Sequence, residues 1–253
     1  MRNFLFLTFC VSVASCNPKK PTEASATLPV KDTVINNVKP VIVVDTSPVF
    51  GIDIAKYQGD LTTEIGPEDK LDFIICKATE GETYTDPDFE NNWKTIKTKG
   101  LIRGSYHFYR SNDDPAKQAQ FFVQTLKGLD SMDLPPILDI EGGSLVGAVD
   151  PKNLQKDLLA FLKEVEKLCK KKPIIYSGLS FSNKYLISEE LAVYDLWLAE
   201  YNGKEKPRVP DNWKDKGYLM WQKTDHYNIE SDTTDFDIFS GNKVNFLNYI
   251  RTH

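Results

Sequence analysis

Residues 71–78 read LDFIICKA, and this stretch decides the fold. Phe73, Ile74, Ile75 and Cys76 follow one another without a polar break, so an extended segment here is apolar on both faces. A strand with one wet face would alternate. The run PIIYS at 173–177 has the same character. Strands covered on both sides belong to parallel sheets flanked by helices, and helix signals do alternate with these runs. Asp86-Pro87 predicts a helix over 86–99, Asp114-Pro115 one ending at Leu126, and Asp150-Pro151 one over 151–171. In each, an acidic N-cap precedes proline at the first helical position. The third carries Leu154, Leu158, Phe161, Leu162, Val165 and Leu168 as a stripe at helical spacing. Strands are expected at 50–54, 71–78, 101–109, 136–141, 174–177, 196–200 and 219–222.

Repeated strand–helix units over roughly 200 residues place the chain in the α/β class, as a TIM-like barrel near the lower size limit. After Trp197 the strands follow one another through loops, so outer helices are expected to drop out there. An open doubly wound sheet is the structural alternative. No G-x-G-x-x-G follows a strand, which speaks against dinucleotide binding.

The wider chain has 253 residues, 41% hydrophobic and 26% charged, with a formal charge of −5. That balance excludes collagen-like, disordered and coiled-coil classes. No basic run is long enough to track phosphates, so nucleic acid is not an expected partner. At the N-terminus, Arg2 precedes an apolar run from Phe4 to Ala14, followed by Val13-Ala14-Ser15-Cys16. This is signal-peptide architecture, and the small pair before Cys16 resembles a bacterial lipobox. The expectation is a signal peptide over 1–15, a lipidated Cys16 opening a flexible tether over 16–47, and one domain over 48–253. The protein would then sit in the cell envelope, held to a membrane by its lipid. A plain secretory signal is the alternative. Cys76 and Cys169 remain, and both are expected to be small buried hydrophobes rather than a disulfide or zinc ligands.

In a barrel, chemistry gathers at the C-terminal ends of the strands. Asp53, Asp139, Glu141 and Asp235 stand at expected strand ends, with Tyr106, Tyr176, Trp197, Tyr201 and Trp221 nearby. Residues two apart on a strand share a face, so Asp139 and Glu141 should point the same way, with Cα atoms about 7 Å apart. Two carboxylates so placed repel, and at least one should hold its proton more tightly. Such a pair suits glycoside hydrolysis: one acid protonates the leaving oxygen while the other supports the sugar carbon. The same acids could instead hold Mg²⁺ or Ca²⁺. His107 alone reads as a hydrogen-bonded core histidine. No G-x-S-x-G elbow is present, so a serine hydrolase is not expected.

Taken together, FGIDIAKYQGD (50–60), FIICKATEGETYTDPDFENNW (73–93), GLIRGSYHFYR (100–110), PPILDIEGG (135–143), PIIYSG (173–178), LWLAEY (196–201), YLMWQ (218–222) and DTTDFDIFSG (232–241) resemble glycoside hydrolase family 25, the Chalaropsis-type lysozymes. The blocks stand in the family's order and span nearly the whole domain. The resemblance implies a (β/α)5(β)3 barrel and hydrolysis of the β-1,4 bond between N-acetylmuramic acid and N-acetylglucosamine in peptidoglycan. It implies Glu141 as general acid, and Asp139 as nucleophile or as the carboxylate that orients the substrate's acetamido group. Asp53 and Asp235 would complete the acid set, with Asp237 sharing the face of Asp235. Tyr106, Tyr176, Trp197, Tyr201 and Trp221 would shape the groove. Metal and cofactor are not implied, and monomer is the default state. Ala55 and Cys76 depart from the family's common pattern, away from the carboxylates. A hydrolase of another N-acetylated glycan and a non-catalytic glycan-binding lipoprotein remain alternatives at this point.

Overall fold

A computed structural model describes residues 45–230 and 232–253. The expected signal segment, Cys16 and all but the end of the tether lie outside the described residues. The strands are β1 (Pro48–Ile54), β2 (Phe73–Glu80), β3 (Tyr84–Thr85), β4 (Ile102–Phe108), β5 (Ile137–Asp139), β6 (Ile174–Gly178), β7 (Asp195–Ala199), β8 (Met220–Ile229) and β9 (Asp232–Asn242). The helices are α1 (Leu61–Glu64), α2 (Phe89–Thr98), α3 (Pro115–Thr125), α4 (Pro151–Cys169), α5 (Leu179–Tyr185), α6 (Glu189–Ala192) and α7 (Lys243–Thr252).

The sheet runs β1-β9-β8-β7-β6-β5-β4-β2 and closes through β1–β2, with β3 as a short flap on the end of β2. Closure excludes the open doubly wound alternative. Neighbours pair in parallel from β1 through β8, and β9 is antiparallel to both β8 and β1. Between β7 and β8 the described chain has only a 3₁₀ turn at Asp211–Trp213, and β8 passes to β9 as a hairpin. The loss of outer helices after Trp197 is therefore real.

Side chains on the strands divide by their period of two. Ile52, Ile54, Ile74, Cys76, Leu138, Ile140, Leu196 and Leu198 face outward into one core with Leu154, Leu158, Phe161, Leu162 and Val165 of α4. Val49, Phe73, Ile75, Ile137, Ile174, Trp197, Met220 and Phe239 fill a second core inside the barrel. Helix α7, which no sequence signal announced, plugs the end away from the parallel strands' C-termini. Its Phe246 ring lies 5.4 Å from Phe73 and 5.0 Å from Phe239. The inner space is tight: a Cβ on Gly51 would stand 2.3 Å from the Phe73 ring, so only glycine fits there.

Two of the three Asp-Pro helix starts are as expected. Asp114 Oδ1 accepts from the backbone N–H groups of Ala116 and Lys117, each at 2.9 Å, and Asp150 Oδ2 accepts from Asn153 at 3.1 Å. The third is not. Helix α2 starts at Phe89, with Asp88 before it; Asp86 Oδ1 still accepts from Asp88 N at 3.0 Å, but its N–H and its second carboxylate oxygen are engaged away from the helix. Its N–H bonds Ala78 O at 2.9 Å, and its carboxylate accepts from Lys56 N at 3.1 Å. Helix α4 stops at Cys169, two residues early, where Lys170 takes the left-handed conformation (φ 60°). Cys76 is buried, whereas Cys169 is partly open.

Candidate active site

The C-terminal ends of the parallel strands surround a cleft of about 440 Å³. Asp53 of β1, Tyr106 of β4, Asp139 and Glu141 at the end of β5, Tyr176 of β6, Trp197 of β7, Tyr201 and Asp235 of β9 all line it. Strand β5 ends at Asp139, and the chain stays extended at Glu141 (φ −148°, ψ −171°) before a 3₁₀ turn begins. That extension carries the two-residue alternation one step further and brings both carboxyls to the cleft. The Glu141 N–H donates to Ser144 Oγ at 3.1 Å, which ties the end of β5 to the turn.

Two expected residues lie elsewhere. Trp221 sits on the other face of β8, since Met220 and Gln222 take the inward positions. It is buried, and its indole N–H donates to Glu200 O at 2.9 Å. Asp237 lies beneath the cleft wall, wholly enclosed. His107 is a core residue on the outward side of β4, held by Thr79 Oγ1 at 2.7 Å and Gln118 Oε1 at 3.1 Å and stacked on Phe161. Burial pushes its pKa down to about 4, so it is neutral.

Sequence reasoning missed Lys77, Glu80, Phe108, Arg110 and Gln222, all on the cleft wall. Lys77 was legible: it continues the inward row of Phe73 and Ile75 by the same period of two. Its ammonium bonds Glu80 Oε2 at 2.6 Å and lies 4.8 Å from the Phe108 ring centroid. Arg110 bonds Glu80 Oε1 through Nε at 2.9 Å and Gly143 O through Nη1 at 2.8 Å. Burial pushes Glu80 up, but its bonds to Lys77 and Arg110 outweigh that and hold it below the usual glutamate range. Gln222 is the hub of the opposite wall. Its Nε2 donates to Asp53 Oδ2 at 2.6 Å, and its Oε1 accepts from the hydroxyls of Tyr176, at 2.8 Å, and Tyr201.

Unlike Glu80, the four strand-end carboxyls of this cleft, Asp53, Asp139, Glu141 and Asp235, hold protons more tightly than in water. Burial, then the Glu141 charge, raises Asp139 well above the ordinary range. Glu141 is raised by burial, with Lys77 pulling the other way. Repulsion within the pair is thus a secondary cause, felt by Asp139; enclosure does most of it. Burial and the neighbouring Asp235 raise Asp53, and burial followed by Asp225 pushes Asp235 up to about 6. Asp139 Oδ1 is buried and has no hydrogen-bond partner within the protein. The trio of acids that converges closely enough to share a cation, among the described residues, is Glu68, Asp69 and Glu230 on the surface, not the strand-end set.

A barrel with two proton-retaining carboxyls at the end of one strand, opening into a cleft lined by tyrosine and tryptophan, has the working parts of a glycoside hydrolase. The chain belongs to glycosyl hydrolases family 25, whose sequence model matches residues 52–232. It is 34% identical over 200 residues to the protein YegX of Escherichia coli K12, a match covering 76% of this chain and 70% of that one. It is 32% identical over 196 residues to the autolytic lysozyme of Clostridium acetobutylicum, covering 75% of this chain and 55% of that one. Among solved structures, the Streptomyces coelicolor lysozyme superposes with a TM-score of 0.75 at 27% identity, covering 82% of this chain and 99% of the other. The family 25 lysozyme of Aspergillus fumigatus gives 0.72 at 28% identity, covering 81% and 99%.

Proposed function

We propose that this glycoside hydrolase is an N-acetylmuramidase, cleaving the β-1,4 bond between N-acetylmuramic acid and N-acetylglucosamine in peptidoglycan. The observation that carries the reading is the Asp139–Glu141 pair on one cleft wall, both carboxyls raised and Asp139 Oδ1 unpartnered. The names of the lysozymes that the chain resembles support the substrate.

Glu141 is the general acid. It is half-buried, holds its proton above the ordinary glutamate range, and reaches the cleft from its edge, where a glycosidic oxygen would lie. Protonating that oxygen lets the leaving sugar depart as an alcohol. The resulting carboxylate then takes a proton from the incoming water, restoring the acid. Asp139 lies deeper. Burial favours its protonated form, so less of it is present as the anion that direct attack would need, while it remains a good hydrogen-bonding partner. It therefore orients the substrate's 2-acetamido group, whose oxygen closes on the sugar carbon as the bond breaks. Asp53 and Asp235 add negative potential that supports positive charge developing at that carbon. Tyr106, Tyr176 and Tyr201 give the sugar rings flat faces, with the buried Trp197 packed against Tyr176.

The test is digestion of purified peptidoglycan by residues 17–253 and by the Glu141→Gln variant, followed by borohydride reduction and mass spectrometry. Muraminitol ends are expected from the wild type, with turnover falling by about 10²–10⁴ in the variant. Wild-type turnover by Glu141→Gln would remove Glu141 from the role, and glucosaminitol ends would move the cut to the other bond. Glycan with its acetyl groups removed should resist cleavage, and equal cleavage would favour direct attack by Asp139.

The sequence from Arg2 to Cys16 supports an envelope location with a lipid on Cys16. Cys16→Ser should move the protein from the membrane to the soluble fraction. Membrane retention by that variant would overturn the anchor.

A further inference from the structure

Asp237 is fully enclosed, one strand position inward from the cleft wall, and the mechanism above gives it no work. Its Oδ1 accepts from the Trp197 indole N–H at 2.8 Å. Its Oδ2 is buried with no donor in reach. On β1 its register partner is Gly51, which sets no side chain of its own against it. The Asp53 carboxyl comes within hydrogen-bonding range of it. Other ionisable groups facing this chamber include Asp235 on the same strand, Lys77 of β2, Tyr106 of β4, Asp139 at the end of β5 and Tyr176 of β6. Lys77, the cation of that set, is bonded to Glu80 and not to Asp237. Two buried carboxyls in contact, without a cation, cannot both be charged. One proton between them satisfies the orphan oxygen and gives Asp53 a second donor beside Gln222.

We propose that Asp237 is a positioning residue that works as a neutral carboxylic acid, accepting from the Trp197 indole and donating its own proton to Asp53. The result is a continuous hydrogen-bonded train. Trp197 donates to Asp237, Asp237 donates to Asp53, Gln222 donates to Asp53, and Tyr176 and Tyr201 donate to Gln222. It ties the barrel's inner core to the rim of the cleft. It also fixes the Trp197 ring, which stands edge-on to Tyr176 with centroids 4.6 Å apart. Burial and the Asp53 charge both drive Asp237 toward the protonated form, which agrees with this geometry.

The proposal's kinetic consequence rests on the muramidase reading, but its central claim does not. Infrared spectra of the wild type at neutral pH should contain a protonated-carboxyl stretch, shifted in D₂O, that disappears in Asp237→Asn. If subtracting the variant leaves no such band, Asp237 is ionised and the proposal falls, whatever the substrate proves to be. On peptidoglycan, Asp237→Ala should lower kcat about ten- to hundredfold with little change in KM, because the cleft is displaced rather than emptied. Asp237→Asn keeps the acceptor for Trp197 and supplies an N–H to Asp53, so it should restore most of that loss. An Asn variant as poor as the Ala variant would overturn the neutral-acid role. Equal activity of all three would overturn the positioning role.

Discussion

Replacing Asp235 by asparagine removes one charge from a cleft where Asp53, Asp139 and Glu141 already crowd together. The pKa of Asp235 stands at about 6 against 3.8 for an ordinary aspartate. At about 1.4 kcal/mol per tenfold, that gap corresponds to about 3 kcal/mol of penalty on the charged form in the folded state. Asp235 is partly open to solvent, which screens the repulsion, so the recoverable part is about 1–2 kcal/mol. The sign follows from linkage. Below pH about 4 both folded and unfolded chains carry the proton, and Asp235→Asn should match the wild type. Between about 4 and 6 the unfolded chain loses its proton first, so wild-type stability falls as pH rises. Above that window the penalty is complete and the gap between variant and wild type is constant. Urea unfolding at acidic and mildly alkaline pH, followed by tryptophan fluorescence, measures this directly. The variant should have the higher midpoint in alkaline buffer alone, while its turnover falls. A midpoint equal to or below wild type in alkaline buffer would refute the reasoning, as would the same gain at both pH values. The trade of stability against activity is what a crowded acid cleft entails.

Two further outcomes follow from the site. Lys77 lowers the proton affinity of both Asp139 and Glu141. Lys77→Met should therefore move the acidic limb of the kcat/KM profile to higher pH, and an unmoved limb would show that Lys77 does not set it. Trp221 faces away from the cleft, so Trp221→Phe should leave KM for peptidoglycan unchanged and lose about 1 kcal/mol of stability with its bond to Glu200 O. A large rise in KM would return Trp221 to the groove.

What the sequence disclosed and what it hid divide along the range of the interactions. The doubly apolar runs at 73–76 and 173–175 disclosed the parallel barrel, because burial on both faces leaves its mark residue by residue. The alternation through Asp139 and Glu141 disclosed the pair for the same reason. Asp86-Pro87 misled because the local signal matched those at 114 and 150. One Asp86 oxygen still accepts from Asp88 N, but the other is drawn to the N–H of Lys56, 30 residues away. Trp221 misled because an aromatic near a strand end suggests a sugar platform. Pairing of Gln222 with Ala199 on one side and Asp237 on the other puts glutamine inward instead, and neither partner is near in sequence. Gln222 carries no chemical signal of its own; only closure of the barrel makes it the hub between Asp53 and two tyrosines.

The inner rows explain how one small barrel keeps so many carboxyls raised. Going up β1 they read Val49, Gly51, Asp53, and going up β2 they read Phe73, Ile75, Lys77. Running the other way, β9 reads Asp235, Asp237, Phe239. Each row passes from apolar to ionisable toward the cleft, and α7 seals the apolar end with Phe246 and Ile250. The sealed half supplies burial that stabilises the fold, and it denies water to the undersides of the acids. Enclosure is the leading cause of the shift at Asp53, Asp139, Glu141, Asp235 and Asp237 alike. The proton that Glu141 is proposed to donate is thus held by where β5 ends in the barrel, while the repulsion within the pair falls on Asp139. A D-x-E on an open strand edge would have the same spacing and repulsion but not the same acidity.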